Sequence, residues 1–247
     1  MKISKIMNYI NSIAPLDKKI QGDNIGLLVK GKENIRRVVV CLDMSKDAIE
    51  FASFSKADLV ITHHPVIYEP MYKIDNDELI IAIRNRIGVI SLHTNYDSAR
   101  LNDILADKCF IKDTRKIFFE DQISLGRIGI TEETDFYNYI KKIKKSLNLD
   151  WIKITGNIPG KIRTVAVGTG SSGSFADSIK ELDADIFITG EIKYDVIKSI
   201  AYKGPTIIEL GHYESEECFI DDLAGLMKTK FPSIDIFTYK KKISSFI

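Results

Sequence analysis

The chain carries four histidines, and each stands where chemistry has neighbours. His63 and His64 are adjacent, behind the apolar run Leu59-Val60-Ile61 and against Pro65. His93 opens His93-Thr-Asn-Tyr-Asp97 and His212 opens His212-Tyr-Glu-Ser-Glu216, each after an apolar run and each with a carboxylate four residues on. Neighbouring side chains of a strand point to opposite faces. Pro65 biases His64 towards an extended backbone and tends to end the ladder. Two imidazoles held this way splay apart, so they suit two neighbouring metal ions better than one. Three imidazoles with two carboxylates are a suitable donor set for a pair of divalent ions such as Zn, Fe, Mn or Co. A carboxylate that bridges lowers the repulsion between dications roughly 3.5–4 Å apart. Glu216 suits that place, with Ser215 expected to cap the helix that follows and the helix dipole favouring a carboxylate in its first turn. Water on such a pair has its pKa lowered to about 7, which gives hydroxide at neutral pH and serves hydrolysis of an amide, amidine or phosphoester. No serine or cysteine nucleophile competes, because every histidine is already engaged.

The elements that must position these residues alternate. Ile3, Ile6, Met7, Ile10 and Ile13 recur at helical spacing and predict an amphipathic helix ending near Pro15. Asp23 to Val29 reads as a turn feeding a short strand, and the β-branched run Ile35 to Leu42 as a buried strand. A helix over 46–56 leads to the strand that delivers His63 and His64. A helix around Glu78–Arg86 leads through Gly88 into Val89-Ile90-Ser91-Leu92 and His93, and a helix over roughly 101–108 closes this half. Ile117-Phe118-Phe119 and Ser124 to Ile130 look like edge strands. Phe136, Ile140, Ile143 and Leu147 then mark a helix whose Lys141, Lys142, Lys144 and Lys145 form a solvated face rather than a nucleic-acid patch.

The first half then recurs. Ile35-Arg-Arg-Val-Val-Val40 aligns with Ile162-Arg-Thr-Val-Ala-Val167, and Ala57-Asp-Leu-Val-Ile-Thr62 with Ala184-Asp-Ile-Phe-Ile-Thr189, at one offset (162 − 35 and 184 − 57 both give 127). A helix, a glycine (Gly88, Gly204), a strand and a histidine with its carboxylate follow in both copies. The expected architecture is therefore α/β: two related lobes, with mainly parallel sheets flanked by helices, produced by internal duplication. Ligands of such sheets gather beyond the carboxyl ends of the strands, so a metal site in the cleft between the lobes is expected. The lobes are placed at 1–112, with His63/His64 and His93/Asp97, and at 113–247, with the glycine turn and His212/Glu216. Gly168-Thr-Gly170-Ser-Ser-Gly173 satisfies G-x-G-x-x-G, with Glu191 about twenty residues on. The pattern is short and mid-chain, and Leu42-Asp-Met-Ser45 fills the equivalent turn of the first half. A tight strand–helix turn, or a backbone cradle for a substrate phosphate, is the preferred reading over a nicotinamide site.

Bulk properties bound the rest. The 247 residues carry a formal net charge of +1, so bulk electrostatics do not call for nucleic acid or an acidic membrane surface. Cys41, Cys109 and Cys218 are scattered and form no C-x-x-C, which fits a reduced, cytoplasmic setting. No secretory signal is evident, and no run approaches the roughly 18–20 apolar residues of a membrane span.

Thr62-His-His-Pro65, His93-Thr-Asn-Tyr-Asp97, Thr189-Gly-Glu-Ile-Lys-Tyr194 and Gly211-His-Tyr-Glu-Ser-Glu216, in this order, resemble the Nif-three-like family. Its members commonly carry the description GTP cyclohydrolase 1 type 2 homologue. Asp23-Asn-Ile-Gly-Leu27 and the glycine turn fit as well, so the resemblance covers nearly the whole chain. It implies a two-lobed protein binding two divalent ions per chain, assembled as a ring-shaped homohexamer with the metals facing inward. By resemblance His64 and Asp97 hold one ion, His63 and His212 the other, Glu216 bridges, and His93 stands beside them for proton transfer. The implied activity is hydrolytic opening of the guanine ring of GTP, or of a similar nucleotide-like substrate, by metal-bound hydroxide. A dinuclear phosphohydrolase or nuclease, and a non-enzymatic metal-binding oligomeric interaction protein, are the alternatives. Two departures bear on substrate. Asp195 stands where the family often has histidine, and Ser98-Ala-Arg-Leu101 replaces a glycine-rich turn.

Overall fold

The computed structural model describes residues 1–120, 123–171, 176–200 and 203–242. They form two compact units, residues 1–96 with 219–242, and residues 97–218. This partition differs from a single cut at 112, because the chain passes into the second unit directly after the His93 turn and returns to the first near its end.

The first unit runs α1 (Ile3–Ile13), β1 (Gly26–Val29), β2 (Arg37–Cys41), α2 (Lys46–Phe54), β3 (Leu59–Thr62), α3 (Asp77–Arg84), β4 (Gly88–Ser91) and the short α4 (Thr94–Tyr96). The helices begin where the sequence supplies caps. Ser45 Oγ accepts from the Ala48 amide (3.3 Å) and Asn76 Oδ1 from the Leu79 amide (2.9 Å), each satisfying an amide that the helix leaves unbonded. The sheet order is β1-β4-β3-β2, with a last strand from near the end of the chain, β11 (Asp235–Thr238), beyond β2. β4, β3 and β2 pair in parallel, whereas β1 runs antiparallel to β4. Every residue of β3 and β4 is buried, as expected of parallel strands covered on both faces. α2 and α3 supply one cover, with Ala48, Ile49, Ala52, Leu79 and Ala82 packed against Val39, Val60 and Val89.

The second unit opens with a π-helical turn (Asp97–Leu101) and α5 (Asn102–Lys108). It continues through β5 (Lys112–Glu120), β6 (Ile123–Asp135), α6 (Phe136–Ser146), β7 (Lys153–Thr155), β8 (Lys161–Ser171), α7 (Ala176–Lys180), β9 (Ile186–Glu191), α8 (Tyr194–Ile200), β10 (Thr206–Glu209) and α9 (His212–Glu216). The sheet order is β5-β6-β8-β9-β10-β7. Its middle, β8-β9-β10, is parallel, and the flanking pairings are antiparallel. Of the two strands expected as edges, only β5 is one; β6 spans 13 residues and lies inside the sheet. Phe136, Tyr139 and Ile143 of α6 pack with Val165, Val167, Ile186 and Ile188. The α6 lysines lie off that stripe, with Lys142 Nζ over the Phe110 ring (4.1 Å) and Lys144 donating to the Asp150 carbonyl (2.7 Å).

From α10 (Cys218–Lys230) the chain rejoins the first unit, where β11 (Asp235–Thr238) adds in parallel to β2. Burial pushes the Cys41 and Cys109 thiols well up, so both stay protonated. No helix among the described residues is long and apolar enough to cross a membrane.

The duplication holds to the level of single hydrogen bonds. Val38 pairs with Leu59 and Val165 with Ile186, again 127 residues apart (165 − 38 and 186 − 59). Asp58 Oδ2 accepts from the Arg36 and Arg37 amides (2.8 and 3.2 Å), and Asp185 Oδ2 accepts from the Arg163 and Thr164 amides (2.7 and 2.8 Å). In each unit an aspartate at the foot of one strand thus ties down the start of its parallel neighbour.

Candidate functional site

In the first unit β3 ends at Thr62, and the backbone is then fixed rather than left to the loop. The amides of His63 and His64 both donate to the Leu42 carbonyl (3.1 and 3.0 Å), and Thr62 Oγ1 donates to the His64 carbonyl (2.7 Å). The side chains are fixed as well. His63 Nδ1 lies 2.7 Å from the Leu92 carbonyl oxygen, which only accepts. Nδ1 therefore carries the proton and Nε2 the lone pair. His64 Nδ1 lies 2.7 Å from Asp43 Oδ1 and His93 Nδ1 2.9 Å from Asp23 Oδ1, and a carboxylate oxygen that accepts imposes the same tautomer. The three rings stand with centroids 5.1 to 5.7 Å apart. One ligand-capable atom from each lies within 4.8 Å of the others, a grouping able to hold a metal ion.

Asp23 is itself prepared for this. Burial works to raise its carboxyl, but the hydrogen bonds from His93 and Thr94, with the His93 charge, outweigh it and hold the group below the usual carboxylate range. Thr94 contributes both its amide (3.1 Å) and its hydroxyl (2.6 Å) to Oδ2.

In the second unit β10 leads through Gly211, at φ +103°, into α9. His212 and Glu216 are one turn apart on that helix, with Nε2 3.2 Å from Glu216 Oε2. His212 Nδ1 is 3.1 Å from Glu191 Oε1 at the end of β9. Ser215 lies inside α9. Its Oγ accepts from the Gly170 amide (3.0 Å) and donates to the His212 carbonyl (2.8 Å), tying α9 to β8. That contact accounts for Gly170: a Cβ there would stand 2.1 Å from Glu216 Oε1 and 3.4 Å from His212 Nε2. Gly168 and Gly170 are thus part of β8, and Gly170 makes room for a carboxylate and an imidazole. Gly173 lies outside the described residues.

Asp97 opens the π-helical turn, buried, with Oδ1 accepting from Thr169 Oγ1 (2.9 Å). Asn102 links the same two residues: its Nδ2 donates to the Asp97 carbonyl (2.9 Å) and its Oδ1 accepts from the Thr169 amide (3.0 Å). Arg127, 1% exposed, clamps the turn from behind, donating to the Ser98 carbonyl (2.9 Å) and forking onto Asp103 (2.5 and 2.8 Å). This buried clamp occupies the stretch where the sequence departs from a glycine-rich turn. Asp195, the other departure, is exposed at the start of α8.

All four histidines therefore hold Nδ1 against an oxygen acceptor, the arrangement that fixes the tautomer and aims Nε2 at a metal. The donor set of imidazole nitrogens and carboxylate oxygens is that of borderline divalent ions. The residues fit the group. Residue type and spacing do not mark the partners Asp23, Asp43, Leu92 and Glu191, or the supports Thr169, Asn102 and Arg127. Glu191 was within reach, because Thr-Gly-Glu ends a strand of the repeat just as Thr-His-His does.

The chain matches the Duf34/NIF3 (NGG1p interacting factor 3) family over residues 1–244. It is 33% identical to a Clostridium perfringens protein named GTP cyclohydrolase 1 type 2 homolog, across 98% of this chain and 97% of that protein. It is 30% identical to a Helicobacter pylori protein (strain J99) named GTP cyclohydrolase 1 type 2, across 98% of each. Among solved structures, the Staphylococcus aureus hypothetical protein SA1388 superposes with a TM-score of 0.89 at 22% identity, over 100% of this chain and 99% of that one, which supports the fold. The chain belongs to the Duf34/NIF3 family.

Proposed function

We propose that this protein is a divalent-metal-dependent hydrolase of a nucleotide-like substrate, with two ions held by His63, His64, Asp97, His212 and Glu216. The observation that carries the reading is the common arrangement of the histidines, each with Nδ1 held by a carbonyl or carboxylate. Histidines used only for packing or solvation have no need of a shared tautomer. When bound, two such ions acidify a water and polarise the bond it attacks.

The chain's own residues supply the rest. Asp97 is kept in one orientation by the Thr169 hydroxyl and its peptide by Asn102. Glu216 is buried, its carboxylate beside Gly170. His93 is suited to move a proton: Nδ1 donates to Asp23, Nε2 accepts, and the depressed Asp23 carboxyl stays ionised to stabilise the imidazolium.

The Helicobacter pylori relative's name makes GTP the first substrate to try. Protein purified without chelator and supplied with Zn, Mn, Fe or Co is expected to release formate from GTP. Phosphate or shortened oligonucleotides instead of formate would redirect the reading to a phosphohydrolase. Full metal occupancy with no turnover on either panel would reduce it to metal binding alone.

A further inference from the structure

We propose that Tyr68 is the ring on which the planar base of the substrate stacks, which makes it a specificity-determining residue. The inference rests on the hydrolase reading and deepens it. Tyr68 is 65% exposed in the loop after His63-His64-Pro65, and its ring stands 6.5 Å from the His93 ring, at 78° to it. A tyrosine ring in solvent ordinarily costs nothing and means nothing. This one is different in how its backbone is placed. Asn24 Nδ2 donates to the carbonyl of Ile67, the residue before Tyr68, at 2.6 Å. The residue before Asn24 is Asp23, which holds His93 Nδ1 at 2.9 Å and takes two hydrogen bonds from Thr94. Two consecutive residues of one turn therefore fix both the imidazole and the peptide that carries the aromatic ring. Their relative position is set by the fold, not by the loop.

An aromatic face held beside a group of three imidazoles and open to solvent is what a nucleobase requires. Stacking needs only a π-face and tolerates any base, so the proposal predicts recognition of base-bearing compounds over base-free phosphates of equal charge. Removing one stacking ring is expected to weaken binding by roughly 5- to 150-fold.

The test measures equilibrium binding of GTP and of inorganic triphosphate to the metal-loaded full chain, as wild type, Tyr68→Phe and Tyr68→Ala. Metal content is measured on the same samples. The expected result is a GTP affinity that falls at least about fivefold in Tyr68→Ala, survives in Tyr68→Phe, and is accompanied by unchanged triphosphate affinity and metal content. Equal GTP affinity in wild type and Tyr68→Ala would overturn the proposal, and so would a parallel loss of triphosphate binding. Wild-type protein that holds metal yet binds no GTP would overturn it while leaving the metal site standing. Wild-type protein that holds no metal would instead remove the function on which the proposal rests.

Discussion

Gly170→Ala perturbs the candidate centre without replacing any residue that would ligate an ion. Gly170 sits at φ +59°, where an L-residue costs about 1–2 kcal/mol. The added Cβ would stand 2.1 Å from Glu216 Oε1, against the 3.4 Å at which ordinary contact begins. The backbone cannot retreat freely, since the Gly170 amide donates to Ser215 Oγ (3.0 Å) and its carbonyl accepts from Thr189 Oγ1 (3.2 Å). Glu216 Oε1, at the end of a side chain, is the atom that gives. The metal-free variant should therefore lose only about 1–2 kcal/mol of stability, while its metal affinity falls about 10- to 100-fold, as when a ligand loses its support. Chelator competition gives the affinity, and urea unfolding of the metal-free proteins gives the stability. Wild-type metal affinity in Gly170→Ala, with the stability loss present, would refute Glu216 as a ligand.

Glu216→Gln should weaken both ions and Asp97→Asn mainly one, whereas His93→Ala should keep both and lower turnover about 10²- to 10⁴-fold; metal analysis beside activity reads each case. Asp58 should show itself in the acid arm of the stability curve. Burial would raise its carboxyl, but the Lys32 hydrogen bond and charge and the Arg36 and Arg37 amides hold it below the ordinary range. Its contribution is therefore complete above about pH 4, the unfolded value, and is lost as pH falls through the folded one. Urea unfolding should separate wild type from Asp58→Asn at neutral pH, with the gap closing on acidification. Light scattering should give a homohexamer at micromolar concentration, and a monomer there would remove the ring.

What could be read from the sequence follows from what is local. The buried runs at Val38–Val40 and Leu59–Ile61 are continuous, apolar and rich in β-branched residues, and their copies 127 residues on (165 − 38) carry the same aspartate latch. These made the parallel cores visible. β11 carries strand-forming types in Ile236, Phe237 and Thr238, but its four residues are mostly exposed, and no buried run of the kind that marks β2 and β3 places it in their sheet. β7 has only three residues. The π-helical turn at Asp97 is held by Arg127, 29 positions away at its Ser98 contact. The histidines and their carboxylates announced themselves by type. Their partners did not, because Asp43 and Asp23 reach His64 and His93 across 21 and 70 positions, and no spacing rule covers that.

Metal content of protein purified without chelator tests the central claim most directly. His63 and His64, with separately anchored rings, are assigned to different ions, so wild type should approach about two divalent ions per chain. His63→Ala and His64→Ala should each retain one, with different residual affinities. A reproducible maximum of one ion in wild type, with the two variants behaving alike, would contradict the account.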